Sequence, residues 1–372
     1  MKISEQNRKM ILAIATISGT TIGVGFFSLP YVASRVGFWA MLGYFFVVGF
    51  MVLVIHMMFG DLALKTPDFL RLPGYAGVYL GKWGKSIALI TIILGFFGTL
   101  LVYIIVGGEF LTFLLSPILG GTKILYTAIY FLTGACLIFI GIGAISKIEL
   151  GGLIIRILVL LFILIKGAAF FRIKNLFPDI EKIDFFLPYG PLLFSLWGVA
   201  MIPEVEEMLG DNKNLLKKII PAATLIPLII YILFVILVVG ISGQGTSAEA
   251  IIGLKNYFGN TIVIIGGIFG VVCTFTAFIA LGLALLKVFW YDLKISKNAS
   301  WAITCFVPFA LFVIGFRDFI KTIGLVGGVM LGIDGVLILL MYMKVHPKKI
   351  YVYPLILIFL AGIIYEIIYF FK

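Results

Sequence analysis

Charge is scarce in this sequence. Only 12% of its 372 residues are Asp, Glu, Lys or Arg, and 62% are hydrophobic, whereas a soluble domain carries roughly 25% charged residues. A chain with mean hydropathy +1.21 cannot cover a water-facing surface, which excludes a soluble globular protein and leaves a polytopic membrane protein. Cysteine is scarcer still, at three residues. Cys136, Cys273 and Cys305 all fall within apolar runs, so they outline neither a disulfide framework nor metal-ligand spacing. The two histidines, His56 and His346, stand far apart with no nearby Cys and read as interfacial or packed polar residues. No Ser/His/Asp or Cys/His set and no phosphate-cradling glycine loop is present, which argues against an enzyme and against ATP-driven pumping. The first apolar run starts after Lys9 and passes Pro30 without a small-residue cleavage pattern, as a retained helix does.

At about 20 apolar residues per crossing, eleven spans are expected, near 10–36, 38–60, 86–115, 124–145, 148–171, 189–209, 219–242, 260–290, 300–316, 322–343 and 350–371. The net charge of +11 is read as topology and not as a nucleic-acid surface. With a cytoplasmic N-terminus, the inside loops hold 17 of the 28 Lys and Arg and the outside loops nine. That asymmetry favours the cell membrane with the N-terminus cytoplasmic and, after eleven crossings, the C-terminus extracytoplasmic.

What is present in unusual density is glycine inside the first span. The run from Ser18 to Pro30 sets Gly19, Gly23 and Gly25 among Ser18, Thr20 and Thr21, then adds Pro30. Each glycine weakens a helix by about 1 kcal/mol against Ala, and proline removes a donor. Unwound backbone at membrane depth survives only where it is buried in protein or lines a cavity. Residues 19–25 are therefore expected to be a ligand-binding break, the alternative being a close-packed glycine motif or a proline kink. A second interrupted span follows five helices later, where Gly198 and Pro203 break the run from Phe194 to Glu207. Two such interruptions at matching positions point to an inverted-repeat transporter with a midplane site.

The residues carrying these breaks also resemble a known family. Gly19-Thr20-Thr21-Ile22-Gly23-Val24-Gly25 with Leu29-Pro30 is similar to the first-helix signature of the amino acid/auxin permease branch of the amino acid-polyamine-organocation superfamily. Tyr103 to Glu109, Pro203-Glu204-Val205, Lys217 to Tyr231, and Thr276-Ala277-Phe278 with Gly282-Leu283 resemble its spans 3, 6, 7 and 8. The closest likeness is to the prokaryotic aromatic and neutral amino-acid permeases. The resemblance implies an all-α, LeuT-like 5+5 inverted-repeat fold with discontinuous helices 1 and 6. It also implies secondary transport of amino acids by alternating access. The expected units are residues 1–172 (spans 1–5), 173–345 (spans 6–10) and 346–372 (a peripheral span 11).

An amino acid brings a carboxylate and an ammonium into a low-dielectric space, and both need fixed partners. The N–H groups at Val24 and Gly25, opening the second half of span 1, suit the carboxylate. Carbonyls near Thr20 and at Leu196, Trp197, Gly198 and Val199 suit the ammonium. The hydroxyls of Thr20 and Thr21 either assist or bond their own helix. Ile22, Gly23, Tyr103, Trp197, Val199, Ala200 and Met201 are the remaining candidates for the substrate site, and their mostly apolar lining favours neutral, hydrophobic or aromatic amino acids. For a coupling ion, sodium-coupled relatives imply the carbonyls of Gly19, Ile22 and Cys273 with the pair Thr276-Ala277, which lacks one hydroxyl. Arg156 in span 5 is either a fixed surrogate cation or a residue snorkelling to the interface. Glu109 and Glu204, expected to be the deepest acidic residues, are the candidate proton carriers. No cofactor is expected beyond a coupling Na+ or H+, no metal site is identified, and the partners are a small-molecule amino acid and the bilayer. The alternative reading is an amino-acid-sensing receptor subunit of spore-germination type, which binds without transporting.

Overall fold

The computed structural model describes residues 5–141, 158, 161–162, 165–177, 184–347, 350 and 352–372, and among them there is helix but no strand. Most of expected span 5, with Arg156, lies outside the described residues. Eight described helices are long and apolar enough to cross a membrane, or nine when the bent pair Glu5–Thr21 and Val24–Val36 counts as one. One of the eight is the 57-residue stretch Tyr189–Gly245, which contains the second interrupted span and the helix after it.

Helix α1 (Glu5–Thr21) stops within the glycine and threonine run, and a 3-10 turn (Val24–Ser28) leads into α2 (Leu29–Val36). Pro30 sits in the first turn of α2, where a missing N–H leaves no acceptor unused. Gly37, at φ 87°, then turns the chain sharply into α3 (Phe38–Lys65). Helix α4 (Leu72–Leu119) is kinked at Gly81, φ 76°, so its first turns form an arm on the side of the N-terminus. Next come α5 (Lys123–Ile140), α6 (Tyr189–Leu196), α7 (Met201–Leu209) and α8 (Leu216–Ser242). The chain ends with α9 (Lys255–Lys287), α10 (Lys297–Ile314), α11 (Phe319–Leu325), α12 (Gly332–Val345) and α13 (Val352–Phe370).

Two sets of helices build the core. Helix α8 packs on α1, α2 and α3, while α4 packs on α5, α9, α10 and α12. The short α6 lies between α3 and a π-helical turn (Val326–Leu331) that joins α11 to α12. That turn carries Gly327 and Gly328, and a Cβ on Gly327 would come within 2.8 Å of Phe194 Cβ. Helix α13, expected to be peripheral, packs on α11, α12 and the π-helical turn and also touches α6.

Candidate functional site: two helix breaks in mutual contact

Both expected interruptions are present. Ile22 and Gly23 separate α1 from the 3-10 turn, and the two parts of the span meet at 50°. Trp197 and Gly198 leave the helix after Leu196, and α7 starts at Met201. The breaks touch each other, and glycine is what lets them. A Cβ on Gly198 would lie 2.8 Å from Thr21 Oγ1. On Gly25 it would overlap Ser195 Oγ and stand 2.7 Å from Phe194 Cδ1.

Helix ends inside a membrane leave backbone groups that other parts of the protein must satisfy. Tyr231 on α8 reaches both breaks, its single hydroxyl proton shared between Thr21 O at 2.8 Å and Ser195 O at 3.0 Å. His56 on α3 supplies the second connection, because Gly198 N–H donates to its Nε2 at 3.1 Å. Its Nδ1 lies 2.9 Å from Thr224 Oγ1, and that hydroxyl already donates to Ile220 O. The oxygen is thus the acceptor and His56 Nδ1 the donor, which is the neutral imidazole with its proton on Nδ1. Ser18 Oγ adds a bond to Ala223 O at 3.1 Å, tying α1 to α8 one turn below the break.

The candidate substrate residues separate by exposure. Ile22, Val24, Gly25, Leu196, Gly198 and Val199 are buried, whereas Thr20, Gly23, Trp197 and Met201 are partly exposed and Ala200 is exposed. Thr20 donates to Thr16 O and Ile17 O, and Thr21 donates to Ile17 O, so both hydroxyls are turned onto their own helix. Tyr103 from α4 is buried with its hydroxyl beside the first break, 3.3 Å from where a Cβ on Gly23 would stand. Trp197 faces His56, ring centroids 6.2 Å apart. Helix α9 reaches the first break through Phe269 against Phe27, at 6.4 Å. On α9, Thr276 bonds the carbonyls of Val272 and Cys273, and Ala277 adjoins it without a hydroxyl. Gly19 is buried in the last turns of α1.

The order of carboxylate depth needs correcting. Glu109 and Glu204 keep side-chain exposures of 25% and 40%, and each is ion-paired, Glu109 with Lys123 and Glu204 with Arg71. Among the described residues the buried carboxylates are Glu206 at 0%, Glu366 at 2% and Asp334 at 3%. The reason is the pitch of the chain around each group. Glu109 lies toward the far end of α4, opposite the first residue of α5, and Glu204 emerges on the face of α7 toward the arm. Glu206 points inward to Tyr75 and Lys213. Asp334 accepts from Thr91 Oγ1 at 2.5 Å, joining α12 to α4.

Polar groups also gather at the two ends of the fold. On the side of the N-terminus, Arg71 Nη2 bonds Glu204 Oε1 at 2.8 Å, and Tyr75 donates to Glu206 Oε2 at 3.2 Å, so the arm of α4 is clipped to α7. On the opposite side a cavity of about 800 Å³ is lined by Arg35, Glu109, Asp184, Glu249, Arg317 and Asp318 among others. Burial pushes Glu249 above the usual carboxylate range, and neighbouring Glu109 adds to the shift. Among the described residues, no group of His, Cys, Asp and Glu is arranged to hold a metal ion.

Two broken spans in mutual contact are compatible with a transporter, and comparison with known proteins agrees. The model of the tryptophan/tyrosine permease family matches residues 6–364. The chain belongs to that family. This permease is 25% identical over 350 residues to tyrosine-specific transport system 1 of Haemophilus influenzae, covering 86% of the permease and 84% of the relative. Its fold is similar to that of Mhp1, a nucleobase-cation-symport-1 family transporter solved in a closed conformation with bromovinylhydantoin bound. The TM-score is 0.67 at 11% identity, over 95% of the permease and 92% of Mhp1. The permease is thus a multi-pass membrane transporter and not an enzyme.

The bonds of three residues central to this geometry are not foreseen from the sequence: His56 reads only as an interfacial or packed polar residue, Tyr231 only as the end of a family-like stretch, and Glu366 is not singled out at all. His56 and Glu366 are ionisable residues within apolar spans, which is itself a functional signal. Tyr231 carries none, since a mid-span tyrosine reads the same whether it packs or bonds.

Proposed function

We propose that the permease is a secondary active transporter that moves neutral amino acids, hydrophobic or aromatic, across the cytoplasmic membrane by alternating access, coupled to protons or sodium. It would belong to the amino acid/auxin permease branch and use a LeuT-like 5+5 inverted repeat. Residues 1–172 and 173–345 would form the halves and 346–372 the eleventh span, with the N-terminus cytoplasmic and the C-terminus extracytoplasmic. The observation that carries this reading is the contact between the two breaks, with one tyrosine bonded to a carbonyl of each.

In this reading the substrate carboxylate meets the first N–H groups of the 3-10 turn, at Val24 and Gly25, which have no acceptor within their own helix. The ammonium meets carbonyls of Thr20 and of residues 196–199. Trp197, Met201 and Ala200 retain exposure and face the side chain, and Tyr103 contributes its hydroxyl beside Gly23. An apolar surround gives a charged side chain no partner, so lysine and glutamate are rejected by their desolvation. The name of the Haemophilus relative supports tyrosine as the first substrate to try.

Purified protein in proteoliposomes, given labelled tyrosine, tryptophan, leucine or lysine under imposed proton or sodium gradients, tests the proposal. Saturable accumulation of a neutral amino acid with exclusion of lysine is expected. Binding without accumulation would favour the receptor reading instead.

A further inference from the structure

We propose that Glu366, on the last span, is the carboxylate that takes up the coupling proton, and that it acts on the substrate break through α6; this rests on the transport reading above. Glu366 is 2% exposed, and among the described residues it makes no ion pair. Its Oε1 accepts from Gly190 N–H at 3.0 Å. Gly190 is the second residue of α6, whose opening N–H groups have no partner in their own helix and favour an anion there.

Space for this one side chain comes from glycines on three elements, α6, α11 and the π-helical turn. A Cβ on Gly190 would overlap Glu366 Oε1, one on Gly328 would overlap its Cγ, and one on Gly324 would stand 2.7 Å from Oε2. The π-helical turn that carries Gly328 is a local under-winding of the kind found at functional sites.

The groups around Glu366 are few. Helix α6 offers Tyr189, whose buried hydroxyl has no hydrogen-bond partner among the described residues, and the segment before it offers Asp184. Tyr44 faces it from α3. On its own helix lie Tyr365, which donates to Asp184 Oδ1 at 2.6 Å, and Tyr369, under Lys321 of α11 at 5.9 Å. Asp184 and Tyr369 line the 800 Å³ cavity, so a space large enough for water comes within one helical turn of Glu366. A hydronium ion from that space gives its proton to a carboxylate oxygen and departs as water, and the reverse transfer restores the anion.

The eight residues of α6 make the link. They span about 12 Å; one end is held by Glu366, and the other carries Ser195 O and Gly198 N–H, held by Tyr231 and His56. Protonation removes the charge that favours the helix N-terminus, loosens the clamp, and lets the rod shift against the first break.

Proteoliposomes with the parent, Glu366→Gln and Glu366→Asp test this. The glutamine oxygen still accepts from Gly190 but cannot titrate. Glu366→Gln is expected to lose proton-driven accumulation by about tenfold or more while retaining exchange of preloaded for external amino acid. Glu366→Asp is expected to keep proton-driven uptake with a displaced pH midpoint, and it serves if the glutamine variant does not fold. Proton influx and accumulation in Glu366→Gln equal to the parent's, or an unmoved midpoint in Glu366→Asp, overturns the inference while leaving transport intact. A parent that neither accumulates nor exchanges amino acids sinks the transport reading and this inference with it.

Discussion

His56 has one ring nitrogen that takes a proton from the backbone and one that gives a proton away, and no aliphatic side chain can do both. Replacing it with leucine leaves Gly198 N–H without an acceptor at buried depth, a loss of about 1–3 kcal/mol. His56→Leu is therefore expected to melt at a lower temperature in detergent and to lose substrate uptake, and His56→Gln, which has both a donor and an acceptor, to recover part of each. An unchanged melting curve for the leucine variant would mean the bond carries no weight. Glu249 offers a pH experiment outside the spans. Its folded-state affinity for a proton is raised, so the protein is relatively favoured at pH below 4.5, the group's ordinary value, and is penalised as pH rises through the folded value. Glu249→Gln removes the ionised form, and its stability gain over the parent should grow from pH 5 toward neutrality and vanish in acid. Thermal melts across that range check the sign.

At the scale of elements, the two breaks interlock through glycines, and the demand differs from glycine to glycine. Gly25 faces Ser195 and Phe194, whereas Gly43 has nothing within 4 Å of an added Cβ. Gly25→Ala should force the half-helices apart and abolish uptake, and Gly43→Ala should transport as the parent does. Equal activity in the two variants would show that the close approach is dispensable. Both breaks were legible in the sequence because unwinding in a bilayer needs a cluster of glycine, hydroxyl and proline residues, and such clusters are local. What joins the breaks was not legible. Tyr231 lies 210 residues from Thr21 and 36 from Ser195, and nothing in its own neighbourhood announces either bond. Glu109 and Glu204 looked deep because hydropathy measures a residue's neighbours along the chain. Depth is set by which helix stands opposite, and Lys123 and Arg71 stand opposite these two.

On the scale of the whole molecule, the two ends of the fold are built differently, and the proposed alternating access needs that difference to reverse. The side of the N-terminus is clipped where Arg71 meets Glu204, while the far side holds a polar cavity of about 800 Å³. An exposed ion pair of this kind contributes only about 0–1 kcal/mol to stability, but an equilibrium between two conformations of similar energy responds to a bias of that size. Glu204→Arg places two cations together and should favour opening on that side, raising the labelling rate of a cysteine introduced at Thr20 and lowering the affinity for substrate added from the far side. Combining it with Arg71→Glu restores an attractive pair and should return both readouts toward the parent. The melting temperature is expected to stay nearly constant across the series, because the pair selects between folded states. Labelling that follows neither the single nor the double reversal would mean the clip does not gate the pathway.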